Sequence, residues 1–280
     1  MRNFTFKGLF LTAVFMLLGC FSIQAADDDL ITKQITIKLD KAGTLPNKIA
    51  SSEMYKITNL KIIGEINGTD WNMIREMAGR DNRGYGTEGK LSVLDLSEAK
   101  IVKGGDSYYP GDNCYTSNDE IGEKAFTDCS RLTSLTLPVG ITSIGYDAFA
   151  YCSGLTSLTL PAGITSIGEF AFSYCSGLTS IYVYAEKVPR IGRYAFEGCA
   201  SRKCTLYVPK GTYDNYRLSE FGYFENIVEF DATGIDKTTT STDVEEVSRY
   251  SLNGQRLAVP VKGLNIVKYS DGSVKKVVVL

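Results

Sequence analysis

AFTDCSRLTSLTLPVGITSIGYD (residues 125–147) runs without a break into AFAYCSGLTSLTLPAGITSIGEF (residues 148–170), and the two blocks agree at 17 of 23 positions. A third copy, AFSYCSGLTSIYVYAEKVPRIGRY, starts at Ala171, and a degraded fourth, AFEGCASRKCTLYVPKG, at Ala195. Self-similarity at 23 to 24 residues is the signature of a solenoid, in which each copy is one coil. Within a copy, Leu132, Leu135 and Leu137 stand at the spacing L-x-x-L-x-L, and Leu155, Leu158, Leu160 and then Leu178, Ile181, Val183 repeat it. The last two members alternate with Ser and Thr, so a short strand points its apolar residues inward and its small polar residues outward. Pro138 and Gly140 turn the chain, Ile141 and Ile144 point inward again, and the Ala-Phe segment closes the coil. A single coil leaves both flanks and both strand edges bare, so stacking is obligatory.

The same apolar triple continues upstream, where the period alone misses it. Leu91, Leu94 and Leu96 precede Leu132, Leu135 and Leu137 by 41 residues each, and Ile57, Leu60 and Ile62 precede them by a further 34. Downstream, Leu206 and Val208 follow Ile181 and Val183 by 25, which makes six coils. Thr69–Ala78 reads as a helix with Trp71, Ile74 and Ala78 on one face, Thr69 or Asp70 as its cap and Gly79 as its stop.

Elements in the register AFxxCxxLxxLxLPxxIxxIGxxAF resemble the BspA-like leucine-rich repeat surface proteins of Bacteroidetes. The resemblance covers about Ile57 to Phe230, including an opening LKIIGEINGTDWNMIREMAG and a closing LYVPKGTYDNYRLSEFGYFENIVEF. The third coil departs from it, with Tyr184 in place of Pro and Lys187 in place of Gly. The resemblance implies a mainly β fold with short helical turns: a leucine-rich repeat solenoid of about six coils. A small C-terminal β-hairpin module follows it. It also implies a non-enzymatic adhesion protein.

The organisation that follows is a signal peptide at 1–25, an N-terminal capping segment at 26–56, the solenoid at 57–230 with an insertion at 102–120, a linker at 231–246 and a C-terminal β module at 247–280. Arg2 and Lys7, the apolar run Leu9–Leu18 and the small-residue site before Ala26 make the leader, too short to span a bilayer. Processing at Cys20 within LLGC is the alternative to cleavage after Ala25. No other stretch is long or apolar enough for a transmembrane segment.

Chemistry is sparse. The chain has no histidine, which removes Ser-His-Asp and Cys-His catalysis and every His-ligated metal site. GYGTEGK (84–90) has the spacing of a phosphate-binding loop, but Leu91 stands where that loop needs Ser or Thr and enters a strand, so the segment is a turn. DNCYTSNDE (112–120) lacks the sixth-position Gly of an EF-hand and is read as a surface loop. No carboxylate pair stands out by spacing, as a glycoside hydrolase would require. Basic clusters with interleaved aromatics are missing, which excludes nucleic acid. Catalytic, cofactor and metal sites are accordingly given as none. Cys129, Cys152, Cys175 and Cys199 recur at one repeat position, where stacked side chains point in parallel, so a ladder of buried thiols is expected. Cys204, with Cys199 or Cys114, is the one candidate bridge.

What remains is surface. The outward strand positions run Ser134, Thr136, Ser157, Thr159, then Ser180, Tyr182, Tyr184, Thr205 and Tyr207, a Ser/Thr floor ending in tyrosines. That face is either a solvated sheet or a recognition surface of rigid aromatics. The insertion carries Tyr108, Tyr109 and Tyr115 and is either a second contact or a floppy loop. The candidate partner-binding residues are therefore Tyr182, Tyr184, Tyr207, Ser157, Thr159, Tyr108, Tyr109 and Tyr115. The expected partner is a host extracellular or bacterial surface protein, with a glycan as the alternative. Val247–Leu280 shows hairpin turns at Asn253-Gly254 and Asp271-Gly272 and resembles the C-terminal modules of exported Bacteroidetes proteins. That resemblance implies either a sorting signal or a structural cap.

Overall fold

Alternating Leu/Ile and Ser/Thr make strands, and the repeat stacks them. The computed structural model describes residues 29–109, 111, 113–232, 246–251, 256–257, 263–269 and 274–279. The leader, Cys20 and both turns expected in the C-terminal module lie outside these residues. In chain order the described elements open with β1 (Ile35–Leu39), β2 (Asn59–Ile66), α1 (Gly68–Met77), β3 (Val93–Ile101), β4 (Gly104–Tyr109), β5 (Cys114–Thr116) and β6 (Glu120–Ile121). The repeats supply β7 (Ser134–Thr136), β8 (Ser143–Ile144), β9 (Ser157–Leu160), β10 (Ser166–Ile167), β11 (Ser180–Val183), β12 (Arg190–Ile191) and β13 (Thr205–Pro209). Then come α2 (Tyr213–Arg217), β14 (Asn226–Phe230), β15 (Glu246–Ser251), β16 (Arg256–Leu257), β17 (Gly263–Tyr269) and β18 (Val274–Val279).

One eight-stranded sheet, ordered β1-β2-β3-β7-β9-β11-β13-β14, runs the length of the solenoid, with every pairing parallel. A second parallel sheet, β12-β10-β8-β6, follows the Ser-Ile positions of the same coils. Equivalent repeat positions are hydrogen-bonded neighbours: Leu60 lies opposite Leu94, Leu94 opposite Leu135, and Leu158 opposite Ile181, which faces Leu206. Leu135, Leu158 and Ile181 are all buried. The sheet has two strands more than the six repeats counted from leucine spacing. The added strands are the outermost, β1 and β14, where one flank has no coil to match and the triple is not kept. Eight strands at about 4.8 Å give a stack roughly 34 Å long.

Phenylalanine supplies the spine. Phe126, Phe149, Phe172 and Phe196 stack at 5.3, 5.0 and 5.4 Å between ring centroids. Trp71 of α1 covers one end, 5.2 Å from Phe126, and Phe221 and Phe224 cover the other, 5.5 and 5.1 Å from Phe196. The thiols of Cys152, Cys175 and Cys199 donate to the carbonyls of Phe126, Phe149 and Phe172 in the preceding coil at 3.0–3.2 Å. All six cysteines among the described residues are buried thiols outside any disulfide, Cys204 included, so the bridge considered for it does not form. Threonine does similar work outside the core. The hydroxyls of Thr179, Thr156, Thr133, Ser92 and Thr58 each donate to a carbonyl one coil back, at 3.1–3.2 Å. The glycine of the Ile-Gly pair is required by close approach: a Cβ on Gly145, Gly168 or Gly192 would stand 2.3–2.6 Å from backbone of the preceding coil.

At the opening end α1 begins one residue earlier than its spacing implies. Asn67, rather than Thr69 or Asp70, is the cap: its side chain accepts from the Thr69 amide, and Asp70 completes the capping box by accepting from the Asn67 amide. Buried Asp70 also accepts from the amides of Gly43 and Leu45, tying the N-terminal segment to the helix. Trp71 Nε1 and the buried Arg75 guanidinium donate to the Ala125 carbonyl, which docks α1 on the first regular coil. The 102–120 insertion, read as either a contact surface or a floppy loop, contains a β-hairpin of β4 and β5, with β4 packed on α1. Tyr108 sits beneath it with its hydroxyl donating to the Glu123 carbonyl. The C-terminal module is a separate antiparallel sheet ordered β16-β15-β17-β18.

Phe149 has ring neighbours on both flanks, so Phe149→Ala should lower the free energy of unfolding by about 3–5 kcal/mol in urea denaturation. Burial pushes the Cys129 and Cys204 thiols up to about 11 and Cys199 to about 12. At pH 8 little thiolate forms, and Ellman's reagent should leave the six thiols from Cys114 to Cys204 unmodified until denaturant is added.

Candidate functional site

Among the described residues three groups of aromatics are candidates for a contact surface, and the elements that carry them decide what each can do. The first lies at the far end of the long sheet. Tyr182 on β11 and Tyr207 on β13 occupy paired positions and stack at 4.4 Å with rings 6° apart. Phe230 on β14 sets its edge against Tyr182 at 6.0 Å and Tyr184 at 5.1 Å. Burial, with Tyr207 next in effect, raises the Tyr182 phenol above its ordinary range. Ser157 and Thr159 on β9 stand beside this cluster, half-buried; the Ser180 hydroxyl donates to the Ser157 hydroxyl at 3.0 Å. Tyr182, Tyr184, Tyr207, Ser157 and Thr159 share one face, as their alternation along the chain implies.

That face is not bare. Lys276 of β18 places its ammonium 4.3 Å from the Tyr182 ring centroid and 5.6 Å from that of Tyr184, and donates to the Tyr184 hydroxyl at 3.1 Å. The C-terminal sheet therefore rests on the tyrosine end of the long sheet. Spacing in the sequence carries no trace of this contact, whose partners are 92 residues apart.

The second group is the insertion, and its tyrosines part company. Tyr108, taken from the sequence as a contact residue, is a core residue: it is 1% exposed and packs 6.2 Å from Trp71. Burial holds its phenol far above the ordinary range. Tyr109 is half-buried, its ring centroid 5.3 Å from the Arg75 guanidinium carbon and 5.5 Å from the Lys124 ammonium. Only Tyr115, on β5, is exposed. Strand alternation accounts for the split, since adjacent residues of β4 face opposite sides.

The third group was not singled out from the sequence. Tyr151 and Tyr174 stack at 4.9 Å with rings 2° apart, and Phe170 and Tyr194 stack at 5.3 Å, with the edge of Tyr146 against Phe170 at 5.9 Å. Tyr146, Tyr151, Tyr174 and Tyr194 are all exposed, and two files of rings, Tyr151–Tyr174 and Tyr146–Phe170–Tyr194, make an aromatic ridge along the coils. Its backbone has a structural cause. Tyr151, Tyr174, Phe170 and Tyr194 have φ of 55–61°, the left-handed region. In that conformation the Tyr151 amide donates to the Ser173 carbonyl of the next coil and the Tyr174 amide to that of Glu197. Asp128 and Gly198 hold the same place in the flanking coils with φ of 63° and 72°. The fold thus demands the backbone angle and not the tyrosine. The two variable positions on either side of each Ala-Phe, read at period 23, carry this signal.

At the closing end the ridge meets a cavity of about 190 Å3 lined by Ile191, Tyr194, Phe196, Glu197, Glu220 and Tyr223. Among the described residues no group of three or more His, Cys, Asp or Glu is arranged to hold a metal ion, and no helix is long and apolar enough to cross a membrane. The surfaces can offer shape, ring faces and edges, phenolic hydroxyls and backbone polar groups.

No curated protein matches the chain. Residues 113–215 match the family model of the BspA type leucine-rich repeat region, in 6 copies. With strands, core positions and glycines falling in the register of that repeat, the chain carries a BspA-type leucine-rich repeat region.

Proposed function

We propose that the chain is a non-enzymatic, exported recognition protein, cell-surface-associated or secreted, that adheres to a host extracellular or bacterial surface protein. The observation that carries this reading is the exposed, stacked pair Tyr151 and Tyr174, at positions where the coils accept Asp128 and Gly198 equally well. Rings held parallel on a rigid backbone lose little entropy on contact, which is how aromatic anchors contribute most to interfaces. Tyr146, Phe170 and Tyr194 extend that surface, and Tyr115 with the Ser157 and Thr159 stretch of the strand face supplies polar contacts at its margins. Leucine-rich repeats are in general protein-binding scaffolds, which supports a protein as the partner class, and the BspA-type family is typically surface-associated, which supports the location. The domain division given by the sequence is kept in this proposal, with 1–25 as leader and 247–280 as a docking or sorting unit.

A glycan is the second reading, favoured by the cavity in which Tyr194 and Tyr223 accompany Glu197 and Glu220. Tyrosine beside carboxylate acceptors suits a sugar, and the protein would then serve a nutrient-capture system.

The full chain should be displayed against a panel of extracellular matrix and bacterial surface proteins beside a glycan array. For whichever partner binds, the Tyr151→Gly, Tyr174→Gly double variant should weaken binding at least tenfold while the free energy of unfolding stays within about 1 kcal/mol, because glycine already serves this position in the fourth coil. Unchanged affinity in that variant would remove the ridge, and binding to the glycan array alone would turn the assignment to the second reading.

A further inference from the structure

The cluster at the end of the long sheet has the chemistry of an ammonium site. Tyr182, Tyr207 and Phe230 come from three adjacent strands and Tyr184 directly follows the first of them, and their mutual stacking and edge contacts fix where the ring faces lie. A ring face is the negative end of the aromatic quadrupole and attracts a cation within about 6 Å of its centroid. Lys276 meets that condition twice, at 4.3 Å and 5.6 Å, and adds a hydrogen bond from the ammonium to the Tyr184 hydroxyl. Two rings and a hydroxyl hold this ammonium. Lys276 is partly buried there, whereas Lys268 of the same C-terminal sheet is exposed.

We propose that this aromatic end is a lysine-reading surface whose resident ligand is the chain's own β18, so that the C-terminal sheet closes the strand face as a tethered competitor. The inference goes beyond the adhesion reading and does not depend on it, since both halves of the contact belong to one chain. A tethered ligand acts at an effective concentration in the millimolar range. An outside lysine-bearing strand must therefore bind more tightly than that to displace Lys276, and weak lysine ligands are refused. Among the described residues nothing covers the exposed tyrosines of the ridge in this way.

The test needs no outside partner. The full chain is acylated with an amine-reactive ester at pH 8, and the rates at Lys276 and Lys268 are followed by mass spectrometry. Lys276 should react about tenfold more slowly than Lys268. In the Tyr182→Ala, Tyr184→Phe double variant the two rates should come within about twofold. Tetramethylammonium, a probe that competes for the ring faces, should speed acylation of Lys276 in the natural chain and leave the double variant unchanged. Equal rates in the natural chain overturn the proposal, and so does protection that the double variant retains. A protected Lys276 that tetramethylammonium does not release overturns it as well. The tetramethylammonium arm needs no substitution and so stands even if the variant folds poorly.

Discussion

Stacking of Phe126, Phe149, Phe172 and Phe196 at 5.0–5.4 Å is the constraint that the rest of the solenoid obeys. A ring can contact its equivalent in the next coil only if each coil advances by about one strand spacing, 4.7–4.9 Å. That advance brings backbones so close that the Ile-Gly position admits no side chain, which is why Gly145, Gly168 and Gly192 recur. It also puts each Phe carbonyl within reach of a thiol from the following coil, a place that suits a small, weakly donating and largely apolar side chain. Outside the core the same advance sets five consecutive hydroxyl-to-carbonyl bonds from Thr179 back to Thr58. At about 1 kcal/mol each, such bonds matter less for their sum than for locking register, because a slipped coil loses all of them together.

A spine of rings must end, and its two ends are closed by different means. At the opening, α1 brings Trp71 over Phe126 and a fully buried Arg75 whose guanidinium donates to the carbonyls of Lys124, Ala125 and Asp81. Carbonyls answer the charge there, together with the Tyr109 ring. At the close, Phe221 and Phe224 bend the stack from parallel to tilted and edge contacts, and Tyr216 anchors the segment through its hydroxyl on the Ala185 carbonyl. Tilted rings present no flat face to a further coil, so the array stops without leaving one exposed.

How much of this could be read in the sequence follows from what repeats. Leu135, Leu158, Ile181, the cysteine ladder and the Ile-Gly pairs were legible because each coil imposes the same demand on them. The outermost strands β1 and β14 were not, because Ile35 and Ile227 meet a coil on one side only and are free of the triple. Asn67 was passed over as a helix cap because Thr69 and Asp70 are equally plausible by residue type, and the choice depends on where Gly43 and Leu45 lie. Tyr108 and Tyr115 look alike in a segment rich in Gly, Asp and Asn, and the pairing of β4 with β5 decides which is buried. The contact of Lys276 with Tyr182 and Tyr184 joins two units that share no repeat, so no periodicity points to it.

The repeat also separates the positions that the fold determines from those it leaves open. Left-handed backbone before each Cys is fixed by the amide that must reach the next coil, yet the side chains there are Asp128, Tyr151, Tyr174 and Gly198. On the long sheet, outward positions are Thr136, Thr159, Tyr182 and Tyr207 in successive coils, each compatible with the same strand pairing. Tyrosine is thus a choice at both places, but the two choices have different surroundings. On the ridge the rings stack on each other and are exposed. At the sheet end they meet Lys276, whose ammonium would lose two ring contacts and a hydrogen bond if the Thr and Pro of the preceding coils continued in place of Tyr182 and Tyr184. The ridge tyrosines stack on one another and stay exposed, whereas those of the sheet end hold Lys276, and an outside partner at the sheet end must first replace it.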